Sequence, residues 1–341
     1  MSAILRAISV STAVLLTLSL CGCMSVDDGR YQSDGYGAVT EAPVTDVPVP
    51  SVSTEPQSDE PEPSGGIVTL PEADTEAPAT SETEPDTQEE QSEPTDVSDM
   101  IEPLATAVQR DYSALDTECH GYGQGVRFDE LNRPKGAVEF NNGYSKYNAI
   151  AIKETEEKVI YLTFDQGYEN GFTPLILDTL KEKGVKATFF VVGDYAERQP
   201  ELVQRMIDEG HTVGSHSLKH YSMPELSAQE AVSEIMDLHE YVLQHFGIQM
   251  TLFRPPKGEY SEQSVAITGD LGYKTILWSF AYADWDTKNQ PDPETSLQKL
   301  IERAHPGAIY LLHSVSETNA KILGDFIDSM TEQGYCFSTE F

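Results

Sequence analysis

The sequence predicts a parallel α/β domain over its C-terminal half, and two observations carry that prediction. From Lys158 onward, apolar and β-branched runs alternate without a break with helix-period stretches. Gly184, Gly210, Gly247, Gly272 and Gly334 each stand just after one of the helical stretches, where a C-terminal cap belongs. Seven strands in such an alternation suit a (β/α) barrel. A doubly wound open sheet is the alternative, and pattern alone does not separate the two.

The strand-like runs are 158–164, 187–192, 211–215, 251–255, 275–280, 308–313 and 335–339. Helical periodicity falls between them at 173–183, 200–209, 227–246, 261–271, 294–304 and 318–333. The preceding stretch, 105–157, mixes signals. Cys119-His120-Gly-Tyr-Gly123 and Asn132-Arg133-Pro134 read as loop, and the stretch is expected to wrap the barrel as an N-terminal extension.

The first 104 residues read differently. Arg6 precedes a mostly apolar run from Ala7 to Leu20, too short for a comfortable membrane span and followed by small residues and cysteines. Leu20-Cys21-Gly22-Cys23 resembles a bacterial lipoprotein signal over 1–23, with Cys23 as the lipidated residue and the membrane reached through that anchor. Residues 24–104 are rich in Pro, Thr, Ser, Glu and Asp and poor in aromatics, the composition of a disordered, self-repelling linker. The expectation is an extracytoplasmic domain tethered at the cell surface by a spacer. Cys119 and Cys336 then remain in the folded part, and outside the cytosol they could pair.

Charge excludes some partners. The chain carries a formal −35; residues 24–105 hold 21 Asp/Glu against one Arg, or −20, and with Arg6 counted this leaves −16 for 106–341. Nucleic acid binding needs a basic face, so nucleic acid is not an expected partner. No protein partner is evident from the sequence either.

The polar residues that end the strands carry the chemistry. Lys158–Phe164 is a buried-strand composition that breaks at Asp165-Gln166-Gly167, placing an acid on a rigid support at the edge of solvent. The third strand is followed by His216-Ser-Leu-Lys-His220, the fourth by Arg254-Pro-Pro-Lys-Gly258 and the fifth by Asp284-Trp285; the sixth ends in His313. In a parallel barrel all of these gather on one rim, where barrel enzymes carry their active sites. Two histidines four apart can meet one divalent metal if the segment turns helically. Asp165 suits a general base and His313 a general acid; Arg254 suits a partner that keeps Asp165 ionised, and Asp284 one that raises the pKa of His313. Tyr168 and Trp285 offer apolar walls for a sugar ring. His120, His211, His239, His245 and His305 are assigned no role.

The ordered set TFDQG, HSLKH, RPPKG, ADW and LLHS resembles the polysaccharide deacetylases with a NodB-homology domain, carbohydrate esterase family 4, over 158–341. The wording TFDQGYENGFT, RPPKGEYSE, LWSFAYADW and GAIYLLHSVSETNA is similar to the spore-type branch that deacetylates muramic acid on the route to muramic δ-lactam. The resemblance implies a distorted (β/α) barrel and removal of N-acetyl groups from glycan amino sugars, here peptidoglycan strands. It implies a divalent metal, zinc in the wider family, on His216 and His220. By motif position it implies Asp165 as base, Arg254 as its partner, His313 as acid and Asp284 as the residue tuning it, with Tyr168, Trp285 and Pro256 toward substrate. One departure stands out: the family usually has a second Asp after the base as third metal ligand, and this chain has Gln166. A Gln offers a neutral oxygen without the charge, so weaker metal binding follows. Two alternatives stay open: a deacetylase or esterase of another glycan such as chitooligosaccharide or xylan, and a glycan-binding homologue with weak catalysis.

Overall fold

The computed structural model describes residues 110–341. The expected signal at 1–23, its lipidated Cys23 and the linker at 24–104 lie outside the described residues. No helix among the described residues is long and apolar enough to cross a membrane.

All seven expected strands are present, within a few residues of their expected limits. In chain order the elements are β1 (His120–Gly121), α1 (Lys135–Tyr144), β2 (Ala149–Ile150), β3 (Val159–Gln166), α2 (Thr173–Lys183), β4 (Thr188–Val191), α3 (Gly193–Arg198) and α4 (Pro200–Asp208). There follow β5 (Thr212–Ser215), α5 (Ala228–Phe246), β6 (Leu252–Phe253), β7 (Glu259–Tyr260), α6 (Glu262–Asp270), β8 (Lys274–Ile276), α7 (Pro293–Glu302), β9 (Ala308–His313), α8 (Glu317–Glu332) and β10 (Cys336–Phe337).

The main sheet is parallel throughout and runs β10-β3-β4-β5-β6-β8-β2, with β9 also paired to β3. The chain beyond β8 then closes the ring. Phe280 bridges Tyr310 in parallel, Ser279 N–H donates to Ile309 O, and Leu311 N–H donates to Phe280 O. This closure selects the distorted barrel over the open sheet. It also explains why the expected fifth strand, 275–280, is interrupted: only its two ends pair, one with β6 and β2 and the other with β9.

Alternation along β3 sorts the core. Ile160, Leu162 and Phe164 join the apolar layer under the outer helices, whereas Val159 and Tyr161 join a second, inner cluster with Phe190, Trp278, Ile309 and Leu311. Asp165 and His313 share the parity of that inner set and stand opposite each other in register at the C-terminal ends of β3 and β9. Helix ends follow local chemistry. Ser227 and Glu230 form a reciprocal capping box at α5, and Gly184 and Gly247 end α2 and α5 in the left-handed conformation.

Sequence periodicity missed β1, β2, β7, α1 and α3. The three strands have two residues each, too few for any period to register. Residues 110–157 contact the barrel at several points. β2 pairs β8, β1 pairs β7, Tyr122 donates its hydroxyl to Trp278 O, and Lys153 N–H donates to Gly307 O. Cys119 and Cys336 are both free and exposed, so the pairing considered for them is not formed.

Gly307, in the turn before β9, has φ of +74° and its N–H on Val159 O; a Cβ built there would lie 1.8 Å from Lys153 O. Gly143, near the end of α1, meets nothing within 4 Å. Gly307→Ala is therefore expected to destabilise by about 2 kcal/mol or more. Gly143→Ala is expected to be neutral or to stabilise by about 0.5 kcal/mol. Thermal melting of the two variants side by side checks the contrast.

Candidate active site

The centre of the site is a buried ion pair. Arg254, fully buried after β6, donates from one guanidinium nitrogen to Asp165 Oδ1 at 2.7 Å. Its other nitrogens donate to Ile276 O at 3.0 Å and Leu277 O at 3.4 Å, and the group lies 4.3 Å from the centroid of the Phe190 ring. Backbone carbonyls at the end of β8 thus fix the guanidinium, and the guanidinium fixes the acid on β3. Burial pushes the Asp165 carboxyl upward, but the charge of Arg254 beside it brings it below its ordinary value.

His313 is tuned the opposite way. Its Nδ1–H donates to Asp284 Oδ1 at 2.8 Å, and its backbone N–H donates to Asp284 Oδ2 at 2.8 Å. Asp284 is fully buried. Burial pulls the imidazole pKa down, but the charge and hydrogen bond of Asp284, with Asp165 adding to them, raise it above the ordinary histidine value. Asn319, in the first turn of α8, completes the arrangement: its amide donates to Asp284 Oδ2 at 2.5 Å and to His313 O at 3.1 Å. Tyr282 in turn donates its hydroxyl to Asn319 Oδ1. Sequence reading passed over Asn319. Its signal was a polar amide placed six residues after the strand-end histidine, on the helix that follows.

His216 and His220 come together, but not by a helical turn. The chain from 216 to 220 is an irregular loop in which Ser217 and His220 take left-handed φ of 65° and 60°. The two rings lie 4.8 Å apart, centroid to centroid. His216 Nδ1 is 2.8 Å from Arg254 O. A carbonyl only accepts, so Nδ1 carries the proton and Nε2 presents its lone pair. Nε2 faces Asp165 Oδ2 at 3.5 Å. Burial lowers the pKa of His216, and burial followed by the neighbouring His216 pushes His220 down to about 4. Two neutral imidazoles and a carboxylate oxygen, all acceptors on one rim, are a donor set that fits a divalent cation.

Gln166 stands apart from this set. Its amide NH2 donates to Ser314 Oγ, and its Oε1 is buried without a partner among the described residues. By strand alternation Gln166 and Ser314 belong with Leu162, Phe164 and Leu312, on the helix side of the sheet. Gln166 would join the histidines only by turning away from Ser314. A further group of three ligand atoms, from Asp116, Glu118 and His120, lies within 4.8 Å on the N-terminal stretch. Both of its carboxylates are exposed, and the His120 ring packs 5.6 Å from that of Tyr260.

A cavity of about 430 Å³ opens beside the two tuned pairs, with Asp165, Tyr168, Trp285, Lys288 and His313 among its lining residues. Tyr168 and Trp285 are each about half exposed, as aromatic walls of an open groove would be. Pro256 does not line it and is buried in the turn after Arg254.

The polysaccharide deacetylase family profile matches residues 152–276. The chain is 44% identical over 207 residues to the peptidoglycan-N-acetylmuramic acid deacetylase PdaA of Bacillus subtilis, covering 60% of this chain and 79% of that one. The chain belongs to the polysaccharide deacetylases of carbohydrate esterase family 4. The solved structure of Bacillus subtilis PdaA, a family 4 carbohydrate esterase, superposes with a TM-score of 0.62 at 41% identity, over 66% of this chain and 96% of that chain. Similarity extends to the peptidoglycan-N-acetylglucosamine deacetylase PgdA of Listeria monocytogenes, 37% identical over 187 residues, 55% of this chain and 39% of that one. As a member of this deacetylase family the chain is a hydrolase, and the barrel rim described above is where its polar residues converge.

The Arg254–Asp165 pair makes a pH prediction. A depressed folded-state pKa for Asp165 means that its ionised form is stabilised by folding. That contribution is complete above the unfolded value near ~3.9 and is lost as pH falls through the folded value. Asp165→Asn leaves Arg254 buried without its counter-charge and is expected to cost roughly 3–5 kcal/mol at neutral pH. Urea denaturation of both proteins should show the gap constant from pH 7 to about 5, then closing as the wild type alone titrates below about 4.

Proposed function

We propose that this chain removes N-acetyl groups from peptidoglycan amino sugars outside the cytoplasm, with N-acetylmuramic acid as the sugar, on the route to muramic δ-lactam. The observation that carries the reading is the pairing of Asp165 and His313, in register across β3 and β9 and driven to opposite protonation states by Arg254 and Asp284. An amide hydrolase needs one group that takes a proton from water and another that gives one to the amine. The similarity to PdaA, across four fifths of its length, supports muramic acid as the sugar.

In this mechanism Asp165 accepts a proton from water as its oxygen bonds to the acetamide carbon. His313 delivers a proton to the sugar nitrogen as the C–N bond breaks, and acetate and a free amine leave. The protons then re-equilibrate with solvent: Asp165 returns to carboxylate and His313 to imidazolium. Tyr168 and Trp285 hold the sugar ring, and the N–H of Tyr168 is close enough in sequence to meet the developing oxyanion. His216 and His220 would hold a divalent metal such as zinc. When bound, the metal acidifies water and polarises a carbonyl. Without a carboxylate at position 166, these residues would hold it more weakly than a site with one. A lipid on Cys23 and the acidic linker would place the domain at the cell surface, within reach of the wall.

Acetate release tests the proposal, measured on intact wall, on wall stripped of stem peptides and on chitooligosaccharide, with and without zinc, with Asp165→Asn as the blank. Release from stripped glycan alone, with muramic δ-lactam by mass spectrometry, is expected. Release from chitooligosaccharide or intact wall would move the chain to a deacetylase of another glycan. No release above the blank would favour a glycan-binding homologue. The pH profile gives a second check. Asp284→Asn removes the charge that raises His313, so the alkaline limb of kcat is expected to move to lower pH, with kcat reduced about tenfold or more.

A further inference from the structure

The histidine loop is held by a carboxylate that the mechanism does not use. Five consecutive N–H groups, from His216 to His220, each find an acceptor. His216 donates to Val191 O, Ser217 to Ser215 Oγ and His220 to Ser217 Oγ. The middle two go to one residue: Leu218 N–H donates to Glu234 O at 3.0 Å and Lys219 N–H to Glu234 Oε2 at 2.8 Å. Glu234 sits in the interior of α5 and is only 5% exposed. A Glu is seldom that deeply buried unless it is paired, and no salt bridge among the described residues accounts for it. The loop needs such a clamp, because two non-glycine residues in it adopt left-handed backbone angles, which persist only where the surroundings enforce them. On the far side Gly193 N–H donates to Leu218 O, and a Cβ on Gly193 would come within 2.7 Å of Leu218. The loop is therefore gripped between α3 and α5.

We propose that Glu234 is a positioning residue for the metal site: by accepting the Lys219 N–H it holds the backbone that brings the imidazoles of His216 and His220 together. This rests on the reading that those two histidines hold the metal. The property required of residue 234 is an acceptor oxygen at the reach of a Glu side chain, not a charge.

Cobalt titration followed by its visible absorption bands measures site geometry and affinity without any turnover. Melting of the metal-free proteins separates a fold defect from a site defect. Glu234→Gln keeps an oxygen at the same reach, and its affinity is expected within about threefold of wild type. Glu234→Asp keeps the charge but falls short of the Lys219 N–H, and Glu234→Ala has no acceptor; both are expected to bind cobalt about 10–100-fold more weakly. If Glu234→Ala does not fold, the Asp and Gln variants alone decide. Equal affinity in all variants would overturn the proposal, as would a Gln variant weaker than the Asp variant, which would make charge the operative property. If the wild type takes up no cobalt, the histidine reading itself fails, and the role of Glu234 with it.

Discussion

The structure depends on a guanidinium buried where three strands end. Arg254 has no exposed surface, and its hydrogen bonds run to carbonyls at the end of β8 and to Asp165 at the end of β3. A buried pair of this kind contributes little net stability, because the desolvation of both charges offsets most of their attraction. Its value is geometric. The pair sets one carboxylate at a defined place on the rim and keeps it ionised. The Arg254 carbonyl, through His216 Nδ1, also sets the tautomer of the first histidine. One residue thereby orients both the base and the imidazole beside it.

The second carboxylate works by the same physics with the opposite result. Asp284 is fully buried, accepts from His313 at two points and from Asn319 at a third, and keeps an imidazolium rather than being kept by a guanidinium. A pair of titratable groups driven apart in this way is the arrangement that separates acid from base roles in a single site. Strand alternation brings them together. Asp165 and His313 share the inner parity of adjacent parallel strands, so a one-residue slip of either strand would remove one of them from the rim.

Much of this was legible in the sequence because it is written at strand ends. Apolar strand runs, helices closed by glycine and polar residues just past each strand gave the parallel α/β domain and the positions of Asp165, His216, Arg254, Asp284 and His313, while the choice of barrel over open sheet waited for the closure at Phe280 and Tyr310. What escaped was local or long-range. The strands β1, β2 and β7 are too short for periodicity, and β2 completes the sheet from a stretch of mixed signals. The His216–His220 spacing suggested a helical turn, yet the loop gets there with left-handed backbone that no spacing reveals. Glu234 reads as one more charged residue in an amphipathic helix, and only the fold shows it turned inward onto that loop. Gln166 is visible in sequence as a departure from the family, but its hydrogen bond to Ser314 is not.

The hold of Asp284 on the His313 proton can be measured directly, with His220 as a histidine that lacks such a carboxylate partner among the described residues. Histidine-selective NMR titration of the metal-free protein should find His313 titrating above the ordinary value near ~6.5, while His220 titrates far below it, at about 4. His313 titrating at or below that ordinary value would contradict the account, since it would then be mostly deprotonated at neutral pH.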